Sequence, residues 1–135
     1  MIKVFEPKVY LRDKIAVLNA LNKKNISGGS SEIINFELSL SNYFDRTYVA
    51  TVTNGSTALD VALQSLNLKS DDEVIIPSFT IISCLSAVVR SGAKPVFCDV
   101  NELSWNMTLD DIKKVKTNKT KAVSYTHLRA HETHP

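Results

Sequence analysis

The sequence predicts an α/β protein, a three-layer αβα sandwich around a mostly parallel sheet. Two observations carry that prediction. The runs EVIIP (73–77) and PVFCDV (95–100) are short and, apart from Glu73 and Asp99, apolar, the pattern of strands covered by helices on both faces. Segments with helical apolar spacing lie around them, so strand and helix alternate along the chain.

The elements follow in order. Ile15, Leu18 and Leu21, with Val17, recur at helical spacing between Leu11 and Leu21, and the polar run Asn22–Asn25 should end that helix. Ser27-Gly28-Gly29-Ser30 is loop chemistry. Ser30 or Ser31 can cap a second helix, in which Ile33, Phe36, Leu40 and Phe44 form one apolar stripe. Tyr48–Thr53 reads as a strand, and Ser56–Asn67 as a helix with Leu59, Ala62, Leu63 and Leu66 on its core face. Thr80–Ser91 reads as the helix between the two apolar strands. Thr108 can cap a last helix, Leu109–Lys116, with Asp110 and Asp111 in its first turn and lysines towards its end, as the helix dipole prefers. Lys121–Tyr125 would start one more strand. Residues 1–26 are then an N-terminal helical segment and 27–122 the body of the domain.

Composition narrows the function only by exclusion. A chain of 135 residues, 44% hydrophobic and 22% charged, has the make-up of one ordinary globular domain. A net charge of +2 gives no reason to expect nucleic acid or a membrane surface as partner. No window approaches the ~18 consecutive apolar residues of a membrane span. The start, MIKVFEPKVY, has charges where a signal peptide needs an apolar core. Cys84 and Cys98 fall in apolar segments and read as buried thiols of a reducing cytoplasm.

All three histidines, His127, His131 and His134, lie in the last nine residues. His127 and His131 have the i,i+4 spacing of metal ligands, but the segment has almost no apolar face and supplies no carboxylate or thiolate in a convincing third position, so no metal is expected. Ser124–Thr133 back-translates to TCTTATACACATCTCCGAGCCCACGAGAC, which looks like one frame of a transposase sequencing adapter. Residues 123–135 are therefore expected to be read-through of library DNA, with the natural sequence ending near Ala122 or Val123.

The stretch TVTNGSTALDVAL (51–63) bears most directly on function. A β-branched run gives way at Asn54-Gly55 to a helix opening with Ser56 and Thr57. The first N–H groups of a helix have no internal partners, and the dipole adds positive potential there. Glycine allows close backbone approach, and hydroxyls add short donors. Gly55, Ser56 and Thr57 could therefore hold a phosphate. Plain capping by Asn54 or Ser56 explains the same four residues, and the stretch alone does not decide between the two. Neither GxGxxG nor GxxxxGK[ST] occurs.

The order of motifs adds to this. SGGSSEIINFELSLSNYF, TVTNGSTALDVALQSL, SDDEVIIPSFTIISCLSAVVRSGAKPVFCDV and LSWNMTLDDI followed by NKTKAV resemble, from about Ser27 to Ala122, the N-terminal part of the DegT/StrS-type sugar aminotransferases, enzymes of fold type I that depend on pyridoxal 5′-phosphate (PLP). The resemblance implies an incomplete PLP-transferase large domain. It makes Gly55 and Ser56, with Thr57 beside them, the seat of the cofactor's phosphate. It aligns Pro77-Ser78-Phe79-Thr80 with the family's Pro-Ser-x-Thr segment, after which an aromatic residue usually lies against the pyridine ring; here that residue is Ile81. Phe79 reads as core packing. Gly28-Gly29 falls where the family has a Gly-Gly loop near the active site of the dimer, and is either a substrate-side contact or a simple turn.

The resemblance also implies a reaction. An amino group, typically from glutamate, is passed through the cofactor to a keto sugar on a nucleotide carrier, in cell-surface polysaccharide or secondary-metabolite biosynthesis. The Schiff-base lysine and the aspartate that pairs with the pyridine nitrogen are expected beyond residue 122, so no catalytic residue is assigned within the chain and the polypeptide alone should be inactive. Lys94 and the Lys113–Lys121 group read as a solvated basic face, Asp99 as a loop anchor, and Asp60 as solvent-facing. A cytoplasmic homodimer is implied for the full-length protein. Two alternatives stand beside this reading: a PLP-dependent sugar dehydratase of the same fold, in which histidine replaces the lysine, and a non-catalytic phosphate-binding α/β module.

Overall fold

The computed structural model describes residues 7–125. The histidine-bearing tail from residue 126 onward lies outside the described residues. The chain divides into two compact units, Met1–Thr51 and Val52–Pro135.

The first unit holds α1 (Leu11–Asn22) and α2 (Ser31–Phe44). Asp13 turns back to accept the Tyr10 amide at 2.8 Å, closing the first turn of α1. Ser30 precedes α2 as its N-cap without a side-chain bond, and α2 stops at Asp45, whose φ of +50° is left-handed. The predicted stripe on α2 is only half buried at Ile33 and Leu40, and Phe36 and Phe44 are exposed. Tyr48–Thr53 forms no strand. Its β-branched composition suits one, but a ladder needs a partner, and among the described residues none pairs with it. Instead the Glu37 carboxylate accepts the Thr51 amide at 2.7 Å and its hydroxyl at 2.9 Å. Those two donors hold the Glu37 carboxyl below its ordinary value.

The second unit is the αβα sandwich. It runs α3 (Gly55–Ser65), β1 (Glu73–Pro77), α4 (Ile82–Arg90), β2 (Lys94–Cys98), α5 (Leu109–Val115) and β3 (Thr120–Val123). The sheet order is β2-β1-β3, parallel throughout. β1 is central, and Val74, Ile75, Ile76 and Pro77 are all buried. Val74 and Ile76 pack with Leu63 of α3, Ala87 and Val88 of α4, and Ala93. Ile75, on the other face, lines a groove with Leu109 and Ile112 of α5. Helices thus cover both faces, as the apolar runs predicted.

The core face of α3 is narrower than predicted. Leu63 is buried and Leu59 packs against the core, but Ala62 and Leu66 are exposed. The helix stops at Ser65, so Leu66 lies past its last turn. Cys84 and Cys98 are buried and unpaired, and burial raises the Cys98 thiol above its ordinary value. Among the described residues no helix is long and apolar enough to cross a membrane, and no cluster of metal-ligating side chains occurs.

Candidate functional site

The site is built where two helices begin. β1 ends at Pro77, and the segment 78–81 turns the chain into α4, so the N-terminus of α4 lies at the carboxyl end of the central strand. Open parallel sheets bind their ligands outside that end. The Ser56 hydroxyl, in the first turn of α3, donates to the Ser83 hydroxyl of α4 at 2.9 Å. Gly55, Ser56, Leu59, Ile81 and Ser83 line a cleft of about 420 Å³ within the second unit.

Asn54 shapes the first turn of α3. Its backbone is extended, and its side-chain oxygen accepts the Thr57 amide at 3.0 Å and the Thr57 hydroxyl at 3.2 Å. Capping and an exposed donor set therefore coexist. The Thr57 amide is spent on the cap, whereas among the described residues the amides of Gly55 and Ser56 meet no acceptor. Thr57 does not line the cleft. A Cβ built on Gly55 would meet nothing within 4 Å, so no neighbour inside the chain demands glycine there.

The other predicted residues fall as follows. Ile81 is exposed and forms the apolar wall of the cleft with the half-buried Leu59. Gly28 and Gly29 belong to the first unit, in an exposed turn with Ser30 donating its amide to the Ser27 carbonyl at 3.0 Å. Phe79 is not core: it is exposed and meets the Trp105 ring edge-on, centroids 4.9 Å apart. The strand has already ended at Pro77, so the inward alternation that would bury Phe79 is no longer in force. Asp60 is not free in solvent, because its carboxylate accepts from Arg90 Nε at 2.9 Å and Nη2 at 2.7 Å. Asp99 anchors its loop as predicted, accepting the Val100 amide at 2.8 Å. Lys94, Lys113 and Lys114 face solvent, each paired with an aspartate. Ser83 is the lining residue that sequence reasoning missed.

The donors of this cleft are two unpaired amides and two hydroxyls, with no carboxylate among the lining residues. Such a set suits an anion with several oxygens. An apolar wall beside it suits a flat ring.

The chain is similar to several known proteins. GDP-perosamine synthase of Escherichia coli O157:H7 is 36% identical over 130 residues, covering 96% of this chain and 36% of that protein. The X-ray structure of the aminotransferase from Psychrobacter cryohalolentis superposes with a TM-score of 0.84 at 37% identity, covering 90% of this chain and 31% of that one. The crystal structure of NtdA from Bacillus subtilis, with bound cofactor PMP, superposes with a TM-score of 0.78 at 28% identity, covering 89% of this chain and 28% of that one. The chain spans about a third of the length of these relatives. The profile of the DegT/DnrJ/EryC1/StrS aminotransferase family matches residues 11–132, and the chain belongs to that family.

Proposed function

We propose that this chain is part of a PLP-dependent aminotransferase acting on a nucleotide-linked keto sugar, and that it supplies the seat for the cofactor's phosphate. The observation that carries the proposal is the meeting of Gly55, Ser56 and Ser83 at one cleft, with two amides left over for an anion. The N-terminal dipole of α3 contributes about 0.3–1 kcal/mol when exposed and up to ~2 when partly buried. It cannot hold a phosphate alone, so the amides of Gly55 and Ser56 and the Ser56 hydroxyl carry most of the affinity, with Thr57 supporting them through the Asn54 cap.

Ile81 and Leu59 form the apolar side of the seat. Ile81 covers a ring face by dispersion but lacks the aromatic geometry worth ~0.5–1.5 kcal/mol. When bound, PLP supplies an electron sink and a carrier for the amino group. The residues of this chain bind it, orient it and keep water from one of its faces. The substrate class rests on the names of relatives such as GDP-perosamine synthase. Glutamate as amino donor, a cytoplasmic homodimer, Gly28 and Gly29 as substrate-side contacts, and catalytic lysine and aspartate residues outside this chain complete the reading.

The test uses the full-length protein that carries this chain. Borohydride treatment of the holoprotein should fix a pyridoxyl group on a lysine, read by peptide mass. Ser56→Ala should raise the Kd for PLP roughly ten- to hundredfold, as loss of one bond to a charged acceptor implies. No lysine adduct, together with PLP affinity indifferent to Ser56→Ala, would sink the proposal.

A further inference from the structure

We infer that Ser83 is a positioning residue for the phosphate seat, acting through the Ser56 hydroxyl. The inference rests on the proposed function and deepens it. A serine hydroxyl has one proton to donate and two lone pairs to accept with. Ser56 at present gives its proton to Ser83 Oγ, 2.9 Å away. An anion in the cleft takes that proton instead, and Ser56 Oγ then becomes an acceptor. Ser83 Oγ can turn its own proton onto Ser56 without either side chain moving, because the oxygen separation already suits a hydrogen bond in both directions.

Two effects follow from that reversal. Ser56 stays pinned in the rotamer that faces the cleft, so binding does not have to order it. Its O–H is also polarised by accepting from Ser83, which strengthens the bond it donates, by about 10–30% in condensed-phase terms. Ser83 is well placed for this. It sits in the first turn of α4, is half-buried, and lines the same cleft as Gly55 and Ile81. Ser83 gives Ser56 a fixed partner on a different helix, held in place by the burial of Cys84, Ala87 and Val88 behind it.

The experiment is a PLP titration of the full-length apoprotein, followed by the absorbance of the bound cofactor, for wild type, Ser83→Ala, Ser83→Thr, Ser56→Ala and the double variant. Pyridoxal, which lacks the phosphate, is titrated in parallel. Ser83→Ala should raise the Kd for PLP roughly three- to tenfold and leave that for pyridoxal within about twofold, the size expected for one neutral hydrogen bond. Ser83→Thr keeps the hydroxyl and should restore binding. In the Ser56→Ala background, Ser83→Ala should change the Kd by less than about twofold, because its effect passes through Ser56. Wild-type affinity in Ser83→Ala, an equal loss in both backgrounds, or equal weakening for pyridoxal would each overturn the inference. If Ser56→Ala also binds PLP normally, the phosphate seat itself fails; if only Ser83→Ala does, the seat stands and the positioning role falls.

Discussion

Asn54 is the residue on which the first turn of α3 depends, since it holds both the amide and the hydroxyl of Thr57. Asn54→Ala should cost about 1 kcal/mol of stability, measured by chemical denaturation of the full-length protein, and Asn54→Ser should recover most of it. A larger penalty belongs to the core. Ile76 is fully buried between Leu63, Ala87 and Val88, so Ile76→Ala should cost roughly 2–5 kcal/mol. The Asp60–Arg90 ion pair is conspicuous in distance, but its side chains are 26% and 51% exposed. Solvent screens such pairs, and Asp60→Asn should cost less than about 1 kcal/mol. An order other than Ile76, Asn54, Asp60 would contradict these assignments. At this scale the sequence was readable where chemistry and position coincide, as in Gly55-Ser56 opening a helix. Ser83 was not, because a serine inside IISCLSAVV reads as one more helix residue, and only folding brings it to Ser56.

α5 is an element whose stability can be followed through a single carboxylate. Thr108 and Asp111 form a reciprocal capping box. Asp111 is held below its ordinary value, first by the Lys114 ammonium at 2.8 Å and then by the Thr108 hydroxyl. A carboxyl depressed in the fold stabilises it fully above its unfolded value, and that contribution is lost as pH falls through the lowered one. Hydrogen-exchange protection of Ile112–Val115 should therefore decline on acidification below about pH 4, the ordinary aspartate range. Asp111→Asn should remove that decline, and a variant with unchanged pH dependence would show the box is idle. α5 and β1 were legible because their signals are local: a capping sequence in one, an uninterrupted apolar run in the other. Residues 48–53 have strand composition too, yet pairing is a property of two segments, and among the described residues none pairs with them.

The whole molecule carries more apolar surface than its described residues cover. Leu18, Leu21, Phe36 and Phe44 in the first unit and Ile82, Val89 and Leu109 in the second are all exposed. β2 and β3 each present one edge without a partner among the described residues. The 135-residue polypeptide expressed alone is expected to be inactive and to aggregate or stay partly unfolded. Size-exclusion chromatography and a melting curve check this, and a soluble, cooperatively melting monomer with transaminase activity would refute it. The β3 edge carries its own protection. The register with β1 slips between Glu73 and Val74, so Lys121 is the extra residue of a bulge, and a charged, bulged edge resists pairing with a stranger.

The central place of β1 has a consequence in time. Its strand leaves the ribosome before either neighbour exists: β2 follows by about twenty residues, and Thr120 of β3 by 47. At about 5–20 residues per second, Val74–Ile76 waits roughly one to four seconds for its first partner and two to nine for its second. A nascent chain must shelter three consecutive β-branched residues with no charge among them for that long, so substitutions that leave the finished fold untouched but slow synthesis between residues 77 and 120 should lower the yield of folded protein.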